Sequence, residues 1–166
     1  MLLGLEGEAA LRSGWHELER RVRSAGGHWT GAIIQRLVSG GADVLLGAFT
    51  DPDLGRVVAV GPGGQHAGLA DAISVRLPPV TDVDADELIA SCPAVADELD
   101  RFRGPAALDR LALRELILRF ALLLGEVPEV VEVDLNPIRC TTDTSIVLDT
   151  QMRIEPRRPV KRVKTW

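Results

Sequence analysis

Apolar positions along the chain change period several times, and each change marks an element. Leu11, Trp15, Leu18 and Val22 recur at three- to four-residue spacing in "EGEAALRSGWHELERRVRSA", the period of an amphipathic helix. Gly26 and Gly27 stop that pattern. The preceding "LLGL" reads as a short strand. A lone strand plus helix cannot bury its apolar faces without partners. Strand-like runs follow in "WTGAIIQRLV", "ADVLLGAFT" and "RVVAVG", with one more inside "LADAISVRLPPV". Between the second and third of these, "DPDLG" predicts a tight turn, because proline presets one dihedral angle and Gly55 supplies positive φ. The two flanking runs therefore predict a hairpin.

The helical period returns at "TDVDADELIASC", where Thr81 is an N-cap and acids fill the first turn, favoured there by the helix dipole. After the break "DRFRG", "AALDRLALRELILRFALLLGEV" predicts the longest helix, with Leu113, Leu116, Ile117, Phe120, Leu123 and Leu124 as its buried stripe and Pro128 as its end. "VVEVDLNPIRC" and "SIVLDTQMRI" predict two last strands around the polar turn "TTDT". The order is strand–helix, four strands, two helices, two strands. Consecutive hairpins predict a mainly antiparallel sheet with helices on one side, an α+β fold.

Composition narrows the function classes. With 166 residues, the chain fits one domain or a domain with a small appendage. Aromatic residues make up 4% and tyrosine is absent, which excludes a stacking platform for single strands. A net charge of −5 argues against a nucleic-acid-binding surface. The tail is the exception: Arg157, Arg158, Lys161, Arg162 and Lys164 read as a solvated terminus, or as a contact to an acidic neighbour or phosphate. Cys92 and Cys140 have no metal-type spacing. "MLLGLEGEAAL" is too acidic for a secretory signal. No apolar run is long enough to cross a bilayer, since "LALRELILRFALLL" carries three charges. A cytoplasmic protein without a membrane partner is expected.

Few segments carry chemistry. "VDADE" lacks the glycine and the glutamate of a calcium loop and reads as a helix start. "GPGG" (61–64) lacks the lysine and hydroxyl residue of a phosphate loop; it is a tight turn or a loop whose N–H groups approach phosphate. His16, His28 and His66 form no ligand spacing, and no Ser/His/Asp or Cys/His set is evident. No catalytic residue is assigned. "EVDLNP" is different. Strand alternation puts Glu132, Asp134 and Asn136 on one face and Val133 and Leu135 on the other. Asp149 ends the run "SIVLD", and a hairpin around "TTDT" would bring it near Asn136. Two carboxylates and an amide are hard oxygen ligands suited to Mg²⁺ that keeps waters and is completed by phosphate. The same pattern also describes a sheet face open to solvent, and spacing alone leaves both readings standing.

The ordered set "AIIQRLV…GADVLLG…DPDLG…VGPGG…EVDLNP…VLDTQ" resembles the ATP-grasp part of NDP-forming acyl-CoA synthetases, including ADP-forming acetate–CoA ligases, with succinyl-CoA synthetase β chains more distant. The wording "GGQHAGLAD" and "KTW" is similar to a bacterial multidomain branch. The resemblance implies the carboxyl-terminal half of an ATP-grasp domain: residues 1–30 as a remnant of the first subdomain, 31–155 as the second, and 156–166 as a basic tail. It implies Mg²⁺ and ATP or ADP as cofactors. Asn136 and Asp149 would hold the metal, with Asp134 in the acidic position before the asparagine. Gln35 would stand at the adenine and ribose hinge, Asp43 near the nucleotide, and Gly63 and Gly64 at the phosphates. Implied partners are the nucleotide and the CoA-binding and first ATP-grasp portions of a parent chain or partner subunit; a homo-oligomer is compatible. Two departures stand out. Gly68 or a neighbour replaces a glutamate usual after the paired glycines, and the lysines lie in the tail rather than before the hinge. The expected function is the Mg-nucleotide-binding half of an acyl-CoA synthetase, inactive alone. The alternative is a non-catalytic regulatory or assembly module of a multidomain acetyltransferase or acyl-CoA synthetase-like protein.

Overall fold

The computed structural model describes residues 1–64, 73–102 and 107–156. It falls into two compact units, residues 1–39 and 40–166.

The first unit holds one helix, α1 (Gly7–Ser24). Its exposed side is laced by pairs four residues apart, including Arg12–Glu8 at 2.7 Å and Arg23–Glu19 at 2.8 Å. It ends in a Schellman arrangement: the Gly26 N–H donates to Arg23 O at 3.0 Å and the Gly27 N–H to Val22 O at 2.9 Å. Trp15, on the apolar stripe, meets Trp29 edge-on at 5.2 Å. Two expectations fail here. Neither "LLGL" nor "WTGAIIQRLV" forms a strand. Alternation supplies strand propensity, but a strand exists only against a partner's N–H and C=O groups, and among the described residues no strand pairs with either segment.

Among the described residues, the second unit is a six-stranded sheet with three helices. The strands are β1 (Ala42–Asp51), β2 (Gly55–Pro62), β3 (Ser74–Arg76), β4 (Val130–Cys140), β5 (Ser145–Val147) and β6 (Thr150–Ile154). Spatial order is β3-β2-β1-β4-β5, with β6 also on β4, and every pairing is antiparallel. The β1–β2 hairpin closes at 51–55 as expected. Asp51 Oδ1 accepts from the N–H groups of Asp53 and Leu54 at 2.9 and 2.8 Å, and Gly55 has φ +80°. These two N–H groups, Leu54 first, hold the Asp51 carboxyl below its ordinary range.

The helices are α2 (Asp82–Ala90), α3 (Pro93–Asp100) and α4 (Arg110–Glu126). Thr81 closes a full capping box with Asp84. One side of the sheet supplies Val44, Leu46, Val58, Val60, Val133 and Ile138 to the core; the helices answer with Leu88, Val95, Leu113, Ile117, Phe120 and Leu124. Leu116 is only partly buried and Leu123 is exposed, so the α4 stripe is narrower than its sequence suggests. This is an α+β fold, with helices packed to one side of a mainly antiparallel sheet, as expected. No helix among the described residues is long and apolar enough to cross a membrane.

Candidate metal and phosphate site

The site lies along the polar face of β4, and a bulge in that strand builds it. Against β1, Val44 pairs with Ile138 but Leu46 pairs with Leu135. Two residues of β1 therefore span three of β4, so β4 carries one extra residue at Asn136–Pro137. Before the bulge the odd positions Val133 and Leu135 are buried; after it the even positions Ile138 and Cys140 are. The opposite face thus carries Glu132, Asp134 and Asn136, and past the bulge Arg139.

Asp134 sits opposite Gly47 of β1 and Gln151 of β6. Its Oδ1 is buried with no hydrogen-bond partner. Burial, then the charges of Asp149 and Glu132, push its carboxyl above the ordinary aspartate range. Asp149 falls in the break between β5 and β6. Its carbonyl accepts from the Asn136 N–H at 3.2 Å, while Leu148 N–H donates to Pro137 O at 2.9 Å. The hairpin read from "TTDT" thus brings Asp149 beside the D-x-N strand. The sequence suggests one strand over 145–154; the chain instead bends at Leu148–Asp149, leaving the Asp149 side chain exposed and bonded only to the Thr150 N–H, at 2.8 Å, among the contacts described.

The glycine turn joins from β2. Gly64 N–H donates to Asn136 Oδ1 at 3.0 Å, and Gly63 N–H to Asp43 O at 3.0 Å. A Cβ on Gly63 would stand 2.6 Å from the Val44 carbonyl carbon, so only glycine fits. Gly64 has φ +62°. Asp43 lies on the same face, and its carboxylate takes a forked contact from Arg139, Nε to Oδ1 at 2.6 Å and Nη2 to Oδ2 at 3.2 Å.

Six of the seven residues singled out from sequence thus lie in the second unit: Asp43, Gly63, Gly64, Asp134, Asn136 and Asp149. Gln35 lies in the first unit, exposed, in the segment without regular structure. The rest of the glycine loop, with His66 and Gly68, and the basic tail from Arg157 onward lie outside the described residues. Sequence reasoning missed Arg139. Its signal was present: the apolar positions 133, 135, 138 and 140 contain one interval of three, and a proline inside a strand marks a bulge.

The arrangement suits a hard cation. An orphaned carboxylate oxygen, a second carboxylate and a carbonyl oxygen form an oxygen-only set crowded with negative charge, which a divalent cation would relieve. Among the described residues, no three His, Cys, Asp or Glu side chains form a metal cage of their own.

Comparison with known proteins fits this geometry. The family profile described as an ATP-grasp domain matches residues 1–154. The chain belongs to the ATP-grasp family. It is 32% identical over 122 residues to acetate–CoA ligase (ADP-forming) I of Archaeoglobus fulgidus, covering 74% of this chain and 18% of that protein. It is 34% identical over 122 residues to the β subunit of acetate–CoA ligase (ADP-forming) I of Pyrococcus furiosus, covering 74% of this chain and 52% of that subunit. The chain thus spans about half of one relative and a smaller part of the other. Its fold matches the acetyl-coenzyme A synthetase 1 of Ca. Korarchaeum cryptofilum, solved with coenzyme A and Mg-AMPPCP, with TM-score 0.78 and 25% identity over 93% of this chain and 67% of that one. These relatives are archaeal, so the ATP-grasp chain is homologous to the archaeal ADP-forming ligases, and the bacterial branch expected from "GGQHAGLAD" and "KTW" finds no support in them.

Proposed function

We propose that the chain is the Mg-nucleotide-binding half of a cytoplasmic NDP-forming acyl-CoA synthetase, which joins a carboxylic acid to CoA while ATP is cleaved to ADP and phosphate. The observation that carries this reading is the buried, unpartnered Oδ1 of Asp134, on one strand face with Asn136 and within the electrostatic reach of Asp149. A buried carboxylate oxygen left bare is costly unless something binds it. Asp134, Asn136 and Asp149 would hold Mg²⁺, which supplies charge neutralisation and orientation at the phosphates. The protein's own share is positioning: the turn at Gly63–Gly64 lets backbone approach closely, and Asn136 ties that turn to the metal edge. Residues 1–30 then belong to the first ATP-grasp subdomain and 31–155 to the second. The remaining subdomain and the CoA-binding portions come from the parent chain or a partner subunit.

The test is titration of Mg²⁺–ADP into the wild type and the variants Asn136→Ala and Asp149→Asn. The wild type binds, and each variant loses about tenfold or more in affinity, the usual scale for a metal ligand or its supporting group. Equal affinity in all three would sink the assignment. Gly68 or a neighbour, standing where the resembled family usually has a glutamate, favours a second reading: a non-catalytic regulatory or assembly module that senses nucleotide. Under that reading Mg²⁺–ADP binds, but a reconstituted parent enzyme shows no ligase turnover.

A further inference from the structure

We infer that Arg139 is a positioning residue for the metal and phosphate site, acting through Asp43 and the Gly63–Gly64 turn. The inference rests on the nucleotide reading above and deepens it. Three strand ends meet at this point: the start of β1 at Asp43, the end of β2 running into Gly63, and β4 just past its bulge at Arg139. Arg139 holds both carboxylate oxygens of Asp43, and its Nη1 donates to Gly40 O at 3.0 Å. A guanidinium fork fixes the direction of a carboxylate as well as its distance, which an ammonium cannot do. The two side chains are 22% and 30% exposed, so the pair is screened less than a surface pair.

Asp43 in turn grips the glycine turn at two points. Its carbonyl accepts from Gly63 N–H at 3.0 Å. Its carboxylate lies against Gly64 so closely that a Cβ there would stand 2.8 Å from Oδ2. The Asp43 carboxylate thus leaves no room for a Cβ at Gly64, and through this close approach its direction bears on the turn. Gly64 N–H then donates to Asn136 Oδ1 at 3.0 Å and orients the amide. The order of control runs from Arg139 to Asp43, to Gly64, to Asn136. Asp43 on this account braces the site and does not itself touch nucleotide. Nothing in the spacing of "GADVLLG" and "NPIRC" joins these residues; the bulge does, by turning Arg139 onto the face that carries Asp43.

Two measurements on the full chain test this. The first is Mn²⁺–ADP affinity by calorimetry, with the electron paramagnetic resonance signal of the bound Mn²⁺ as a readout of its ligand set. The second, independent of any ligand, is hydrogen exchange at the Gly64 amide by NMR. Arg139→Ala weakens Mn²⁺–ADP by about tenfold, alters the Mn²⁺ signal, and speeds Gly64 exchange about tenfold while β1–β4 ladder amides stay protected. Arg139→Lys restores charge without the fork and falls between wild type and Arg139→Ala. If Arg139→Ala does not fold, Asp43→Asn, which keeps the side-chain size, carries the same expectation. Unchanged affinity and unchanged Gly64 exchange overturn the proposal. A wild type that does not bind Mn²⁺–ADP overturns the nucleotide reading and the positioning role with it, and the Gly64 exchange then tells whether the fork is a purely structural brace.

Discussion

Asp134 keeps a buried carboxylate oxygen without a partner, and the cost of that arrangement is measurable. Burial first, then Asp149 and Glu132, raise its folded-state pKa above the unfolded value. In the window between those two values the folded state binds more protons than the unfolded state. Stability therefore falls as pH rises from the ordinary aspartate range through the raised one, and the penalty is complete above it. Asp134→Asn removes the penalty. Without divalent cation and at neutral pH, it raises Tm by about 2–4 °C for each kcal/mol relieved in a chain of this size, and it flattens the decline in that window. Melting curves in a chelator across the acid and neutral range check this; an unchanged Tm with an unchanged pH slope rules it out. The same variant loses Mg²⁺, so stability and binding move in opposite directions, as expected of a strained functional group. Much of this was legible in sequence, because strand alternation alone puts Glu132, Asp134 and Asn136 on one face. The partner of Arg139 was not. An interval of three in the apolar pattern reveals a bulge, but which side chain waits across the sheet is decided by register.

Among the elements, the least legible contact is the one that anchors α4. Arg56 of β2 donates to the carbonyls of Leu124, Pro128 and Val130, at 3.1 Å for Pro128 and 2.7 Å for Val130. One guanidinium thus covers acceptors at the helix C-terminus and at the entry to β4, where the helix dipole also favours a cation. Arg56→Ala leaves these part-buried carbonyls underserved and costs about 1.5–3 kcal/mol, the range for hydrogen bonds to a charged group. Denaturant unfolding checks it: the midpoint drops while the m-value holds. A shift below about 0.5 kcal/mol, the level of an ordinary surface change, would refute the anchoring role. Local signals served the elements well where local chemistry decides them, as at the Thr81 capping box and the Asp51–Gly55 turn. They served poorly where partners decide. Ala85, Leu88, Ile89, Cys92, Val95 and Leu99 keep helical spacing across the junction of α2 and α3 and hide the break that Pro93 makes. "AIIQRLV" has strand composition but no strand beside it among the described residues.

At the scale of the whole molecule, charge bookkeeping decides what the site can do by itself. Asp43 is neutralised by Arg139, and Glu132 by Arg153 at 3.0 Å. Asp134 and Asp149 form no ion pair among the described residues, so the site edge carries uncompensated negative charge. On the proposed reading, such an edge repels free nucleotide and takes it only as a metal complex. ADP in a chelator should therefore show no binding where Mg²⁺–ADP binds. The metal offsets only part of a polyphosphate's charge, and the chain's lysines, Lys161 and Lys164, lie in the tail, outside the described residues. On the same reading, the cations that hold and polarise a transferring phosphoryl group come from outside the described residues. The chain covers 52% of the Pyrococcus furiosus β subunit and 18% of the Archaeoglobus fulgidus ligase it matches, so those proteins have ample sequence in which to supply them. We expect the chain alone, given ATP, acetate, CoA and Mg²⁺, to release ADP no faster than a protein-free blank. Turnover near that of an intact ADP-forming ligase would mean that the chain already carries a complete phosphoryl-transfer site. Metal-independent ADP binding would instead mean that cations outside the described residues, such as those of the basic tail, reach the phosphates.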